Sequence, residues 1–178
     1  FFPWKLYFAD VFRAKGGFDV VIANPPYDVY QGNRFNEISI IRQIPTYKIS
    51  QGGKLNAYKV FLARSLELQR KNGTLCEIFQ NSFLADSSAK RLRKHFLQNQ
   101  KVERIDSFPE RDDVNKRVFE SAKMSVCILQ SKNTKEDNYD FDLFIWEDRK
   151  MSSSKYSRLG NNDIFNLEPF NLTIPYVN

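Results

Sequence analysis

The run Phe18-Asp19-Val20-Val21-Ile22-Ala23 ends on Asn24-Pro25-Pro26-Tyr27, and no other segment constrains the fold as tightly. Two consecutive prolines offer no amide hydrogen to a sheet ladder and hold φ near −65°, so the strand must stop there and continue as a rigid turn. The run is short, rich in β-branched residues and preceded by Gly16-Gly17, the pattern of a buried strand. From Asp28 to Leu55 no clean period is present, and Gly32, Pro45, Gly52 and Gly53 interrupt the segment. Short helical pieces and a surface role are expected there.

Leu55, Tyr58, Phe61, Leu62, Ser65, Leu66 and Leu68 recur at helical spacing. They predict a helix over 56–72, closed by Gly73 in the left-handed conformation. Thr74 to Phe79 reads as the next strand, and Asp86-Ser87-Ser88 supplies caps for a helix with Ala89, Leu92, Phe96 and Leu97 on one face and Lys90, Arg91, Arg93 and Lys94 on the other. Val102–Phe108, Met124–Ser131 and Tyr139–Trp146 read as three further strands. This order predicts an α/β sheet with an antiparallel strand pair at its end. Beyond Lys150 the chain turns polar and irregular, so residues 1–150 read as one domain and 151–178 as a linker or the start of a further region.

Composition narrows the function classes. With 42% hydrophobic residues and a formal charge of +6 from 27 Lys and Arg against 21 Asp and Glu, the chain has the makings of a folded, basic domain. Its unbroken apolar stretches are far shorter than the roughly 20 residues a membrane helix needs. Cys76 and Cys127 each sit in apolar runs, which suits reduced core thiols of a cytoplasmic protein better than a disulfide or a metal site. His95, the single histidine, lies among cations and reads as a solvated helix residue, so neither a zinc site nor a histidine triad has a foundation. The chain opens Phe-Phe-Pro-Trp without an initiator Met and reads as an internal piece of a longer polypeptide.

Chemistry is expected at the carboxyl end of the first strand, where open α/β sheets place their ligands. Asn24 offers a side-chain carbonyl and Pro25 a backbone carbonyl on a chain that two pyrrolidine rings hold nearly fixed. Two preset acceptors suit the two hydrogens of one amino group, and Tyr27 adds a flat face for a planar partner. The competing reading is a proline turn after a core strand, with Tyr27 packed away.

Phe18 to Tyr27, with Asn24-Pro25-Pro26-Tyr27, resembles the catalytic segment of adenine-specific DNA methyltransferases that modify the exocyclic amino group. Leu55-Asn56-Ala57-Tyr58-Lys59-Val60-Phe61, Thr74 to Leu84, and Val118-Phe119 followed by Met124 to Leu129 are similar to successive blocks of the TaqI-like and type IIG (Eco57I-like) restriction-modification enzymes, in the family's order. The resemblance covers roughly residues 1 to 131 and implies a Rossmann-like, S-adenosylmethionine-dependent methyltransferase fold. On it, Asn24 and Pro25 accept hydrogen bonds from the target adenine's amino group, and Pro26 helps to hold the turn. Tyr27 stacks on the flipped base and Phe119 packs against it from another side. Asp10 matches an acidic residue that contacts the cofactor's adenine. For Phe119 the alternative is an ordinary core phenylalanine, and for Asp10 a surface aspartate.

The seven glycines form no cofactor loop after a first strand, so the fold is expected to lack its N-terminal, cofactor-binding half. Residues 1–150 then hold the target-adenine pocket, 151–178 lead toward target recognition, and the isolated piece is inactive. Residues 1–64 carry nine Lys or Arg against four Asp or Glu, and Arg34, Arg42, Lys48 and Lys54 in the long loop are candidates for contacts to double-stranded DNA. If the parent carries a nuclease or a target-recognition domain, it is expected elsewhere in that polypeptide. A methyltransferase acting on RNA or protein glutamine is one alternative; a non-catalytic DNA-binding or assembly piece of a restriction complex is another.

Overall fold

The computed structural model describes residues 2–32 and 34–175. Two short helices, α1 (Trp4–Tyr7) and α2 (Ala9–Lys15), lead into β1 (Phe18–Ala23), where the rings of Trp4, Phe8 and Phe12 pack on Phe18. After the proline turn come β2 (Val29–Tyr30), α3 (Phe35–Gln43), a 3-10 turn over Pro45–Ser50, and β3 (Leu55–Asn56). Helix α4 (Ala57–Leu68) runs directly into β4 (Gln69–Gln80). Then follow α5 (Lys90–Asn99), β5 (Lys101–Phe108), β6 (Val126–Lys132), β7 (Asp140–Trp146), β8 (Ser154–Gly160) and α6 (Asn161–Leu167).

Six strands form one mixed sheet in the order β1-β4-β6-β5-β7-β8. β1 and β4 are parallel, as are β5 and β7; β6 runs antiparallel to both its neighbours and β8 antiparallel to β7. Alternation along β4 sets the faces: Leu75, Glu77 and Phe79 are buried, while Cys76, Ile78 and Gln80 between them are half-buried. The buried face meets Tyr58 and Leu62 of α4, Leu92, Phe96 and Leu97 of α5 and Ile164 of α6 in one continuous core. A smaller cluster of Ile41, Tyr47, Leu55, Val60 and Ala63 packs the long segment after the turn onto α4.

Five features differ from the sequence expectation, the first being β1, which the sequence pattern reads as buried but which, among the described residues, has a neighbour on one side only in the sheet and leaves Val20 and Ile22 55% and 78% exposed. The strands over 126–132 and 140–146 are not neighbours: β6 inserts between β4 and β5, and β7 lies beyond β5 in parallel, so the antiparallel pair at the sheet end is β7 with β8. The reason is burial. β6 has Val126, Cys127, Leu129 and Ser131 buried with Ile128 beside them, which suits the sheet interior, whereas β7 and β8 carry Asp140, Asp142, Lys155 and Arg158 and suit an edge. The helix over 56–72 ends at Leu68, and Gly73 lies inside β4, not at a helix cap. A Cβ there would stand 2.9 Å from the Phe18 carbonyl and 3.1 Å from that of Asp19, so the residue is glycine because β1 passes so close.

Residues 151–175 are not a linker. β8 closes the sheet, and Leu172 and Ile174 are buried in the main core; the last three residues lie outside the described ones. Nor is Arg93 part of a solvated basic face. It is completely buried, and its guanidinium donates to the backbone carbonyls of Phe83, Asp86, Asn171 and Leu172 at 2.5–3.0 Å. A side chain that reaches four carbonyls at once ties the β4–α5 connection to the chain's last segment. Arg93→Ala would leave these acceptors unpaired and is expected to lower stability by about 3 kcal/mol or more, against about 0.5 kcal/mol or less for exposed Arg91→Ala. Urea denaturation of the two variants checks this, and equal midpoints would contradict the clamp.

Candidate functional site

The turn Asn24–Tyr27 leaves β1 at its carboxyl end, beside the end of the parallel strand β4, because Ala23 pairs with Glu77 in the register of the two strands. Asn24 and Pro26 are exposed, Pro25 is buried and Tyr27 is half-buried. Prolines on both sides of one peptide restrict the backbone of Asn24 and Pro25 to extended conformations. Four further contacts hold the turn. Gln80 Nε2 donates to the Tyr27 carbonyl at 3.4 Å, and Asn56 Nδ2 donates to Gln80 Oε1 at 3.4 Å. The Ala57 amide donates to the Asp28 carbonyl at 2.8 Å, and β2 pairs with β3 immediately afterwards. The start of α4 is thereby tied to the exit of the turn.

The Tyr27 hydroxyl donates to Asn24 Oδ1 at 3.1 Å. Burial, then the proximity of Cys127 and Glu77, push the phenol's pKa up to about 12, so it keeps its proton and stays a donor through the neutral range. The Phe119 ring stands 5.5 Å from that of Tyr27 at 62°, edge to face. Residues 109–124, which carry Phe119 here, are irregular yet tied down: Arg117 donates to the Glu120 carbonyl, Arg149 Nη1 to Glu120 Oε1 at 2.8 Å, and the Arg149 amide to the Lys116 carbonyl at 2.8 Å. Ser107 Oγ on β5 donates to Asn81 Oδ1 at 3.0 Å, beneath the same end of the sheet. An amide carbonyl, a fixed proline carbonyl and two aromatic rings therefore stand together at one strand end.

The other residues singled out from sequence stand apart from this group. Asp10 lies on α2 with its side chain 99% exposed, and among the described residues its ion pair is with Arg13 at 3.5 Å. Arg34 reaches toward Asp28 at 3.8 Å and lies 5.6 Å from the centre of the Tyr30 ring, so it borders the turn's exit. Arg42, Lys48 and Lys54 are exposed along the same long segment. A cleft of about 470 Å³ lined by Trp4, Tyr30, Tyr47, Val60 and Phe61 lies beside that segment and includes none of Asn24 to Tyr27. Lys59 is fully buried and donates to the Gly52, Lys54 and Ser88 carbonyls at 2.5–3.3 Å, holding the long segment against the start of α5.

Among the described residues, the two glycines at one end of the β1–β4 pair form no cofactor cradle. Gly17 and Gly73 are packing positions: a Cβ on Gly17 would stand 2.5 Å from the Leu68 carbonyl oxygen, and one on Gly73 would meet the carbonyls of β1. Neither opens toward a ligand. Among the described residues no group of three or more His, Cys, Asp or Glu could hold a metal ion, and no helix is long and apolar enough to cross a membrane.

The Eco57I restriction-modification methylase family model matches residues 1–119. The type II restriction enzyme and methyltransferase RM.Eco57I of Escherichia coli is 27% identical over 149 residues, 78% of this chain and 14% of that protein. The type II methyltransferase M.AccI of Acinetobacter calcoaceticus is 25% identical over 120 residues, 67% of this chain and 21% of that one. The methyltransferase subunit of a type I restriction-modification system from Streptococcus thermophilus superimposes with a TM-score of 0.64 at 16% identity, over 91% of this chain and 38% of that chain, a likeness of fold. The chain thus spans about a fifth or less of the length of both curated relatives. It belongs to the Eco57I restriction-modification methylase family.

Sequence reasoning missed Glu77, although a carboxylate inside the apolar run Thr74 to Phe79 is itself a signal. Its side chain faces α4 in the middle of β4, is fully buried, and neither carboxyl oxygen has a hydrogen-bond partner. Burial raises its pKa to about 8, and Ser65 on α4 opposes that only in part. The unfolded chain releases this proton near pH 4.5 and the folded chain near pH 8, so between those values the folded state binds more protons. Stability is therefore expected to fall as pH rises from about 5 to about 8. Glu77→Gln should flatten that slope and be the more stable protein at pH 8.5, as urea midpoints across the range would record; a steeper slope in the variant would contradict this account.

Proposed function

We propose that this chain supplies the target-base half of a DNA adenine methyltransferase. On this reading an adenine leaves the duplex, parts the Tyr27 and Phe119 rings from their 5.5 Å edge-to-face contact to stack on them, and presents its exocyclic amino group to Asn24 Oδ1 and the Pro25 carbonyl. The observation that carries the reading is the convergence of the Asn24 carbonyl, the Tyr27 ring and the Phe119 ring at the carboxyl end of β1. Phe119 is 92 positions further along the chain than Tyr27, and a proline turn with a packed tyrosine has no need of it.

The chemistry follows from the acceptors. An adenine amino nitrogen is a poor nucleophile because its lone pair is delocalised into the ring. Two carbonyl oxygens on its hydrogens, one on the proline-restricted backbone and one on the Asn24 side chain, aim the nitrogen and favour the charge that grows on it as a bond forms. Flipping costs a few kcal/mol of stacking and pairing, which the two rings offset. S-adenosylmethionine, when bound, would supply the methyl group, its S–C bond breaking as the N–C bond forms and one amino proton passing to solvent, and Asp10 would be a peripheral contact to it. Arg34, Arg42, Lys48 and Lys54 line the segment that would face the DNA backbone.

The test uses the full-length protein, tritiated S-adenosylmethionine and DNA, with RNA and glutamine-bearing protein as competing substrates. Label is expected in DNA as N6-methyladenine, Asn24→Ala should reduce transfer by at least about 100-fold, the scale of losing one preorganised transition-state contact, and residues 1–178 alone should give background counts. Equal turnover by wild type and Asn24→Ala would sink the proposal. Tyr27→Ala and Phe119→Ala should each weaken binding of the target duplex by about 1–3 kcal/mol, the range of one base–aromatic stack. Gel-shift titration measures this, and normal binding with a lowered melting temperature would mark both rings as core packing instead.

A further inference from the structure

We infer that the Tyr27 hydroxyl is a placeholder, occupying the Asn24 acceptor in the resting site and competing for it with the substrate's amino group. The inference rests on the adenine reading of the pocket. Its basis is the hydrogen bond from Tyr27 Oη to Asn24 Oδ1 at 3.1 Å, between the group meant to stack on the base and the group meant to hold its nitrogen. The bond closes within four residues of a turn whose backbone is held independently, by Gln80 on the Tyr27 carbonyl and by the Ala57 amide on Asp28. The ring can turn about its own side-chain bonds while the backbone stays. Tyr27 meets Phe119 edge to face and is only half-buried, so its surroundings do not lock the ring in place.

An amino group arriving over the ring exchanges one hydrogen bond for another at Asn24 and gains little from that contact. After transfer and loss of one proton to solvent, the methylated nitrogen has a single hydrogen left, so its hold on the two carbonyls is weaker. The phenol, tethered three residues away, then reclaims the oxygen at high effective concentration. The hydroxyl thus weakens substrate binding and speeds product release.

Tyr27→Phe in the full-length protein isolates the hydroxyl, because the ring face is retained. With a duplex carrying the target adenine, mapped from the methylation pattern of wild type, the variant should bind about 2- to 12-fold tighter, the range expected for one net hydrogen bond. Its KM should fall, and a burst of product should precede a slower steady state. With 2-aminopurine at the target position, which has no 6-amino group to take Asn24, variant and wild type should bind equally. Unchanged or weaker binding of the adenine duplex, or an equal gain on both duplexes, overturns the placeholder. Asn24→Ala separates this from the underlying reading: wild-type transfer in that variant removes the pocket itself, whereas lost transfer together with no gain in Tyr27→Phe removes only the role of the hydroxyl.

Discussion

The close parallel pairing of β1 with β4 is the constraint on which the site depends. At one end of the pair Gly17 and Gly73 let backbone meet backbone where a Cβ would stand 2.5 Å and 2.9 Å from carbonyl oxygens. At the other end the register sets Ala23 against Glu77, and the turn that follows emerges beside Gln80. A one-residue slip would exchange the two faces of the strand, burying Val20 and Ile22, which are now 55% and 78% exposed, and carrying Asn24 away from Gln80. The glycines fix how near the strands lie, and the prolines fix where the chain goes next. Together they fix the Pro25 carbonyl and the point on the backbone from which the Asn24 amide extends.

Buried polar groups do the remaining positioning. Arg93 and Lys59 are cations inside the fold, and each spends its hydrogens on backbone carbonyls instead of carboxylates. They fasten irregular segments, the end of the chain in one case and the long segment after the turn in the other. Such groups give stability through satisfied hydrogen bonds and would cost it if left unpaired. Glu77 is the opposite case, a carboxyl without a partner directly under the site. It is tolerated because burial keeps its proton on, and that proton links the stability of this region to pH.

Phe119 reaches the candidate site from a distance. It enters from an irregular stretch between β5 and β6, and its ring reaches Tyr27 only because β6 returns to lie between β4 and β5. Two arginines hold the stretch, Arg117 within it on the Glu120 carbonyl and Arg149, just past β7, through its amide on the Lys116 carbonyl and its side chain on Glu120. Order in the stretch therefore depends on the far side of the sheet.

Periodicity and turn chemistry made much of this legible in advance. The strand into Asn24, the helix face of Leu92, Phe96 and Leu97, and the Asp86 cap, which falls on the 3-10 turn leading into α5, follow from local rules. These are short-range matters: φ restriction, alternation and the satisfaction of nearby amides act within a few residues. Tertiary structure alone decided the insertion of β6, the burial of Arg93 among a charged run, the absorption of 154–174 into the sheet and core, and the meeting of Gln80, Asn56 and Phe119 at the turn. Each depends on which distant surface becomes available to cover an apolar face or satisfy a carbonyl. No local pattern encodes that partner, because one stretch of chain obeys the same propensities whatever packs against it.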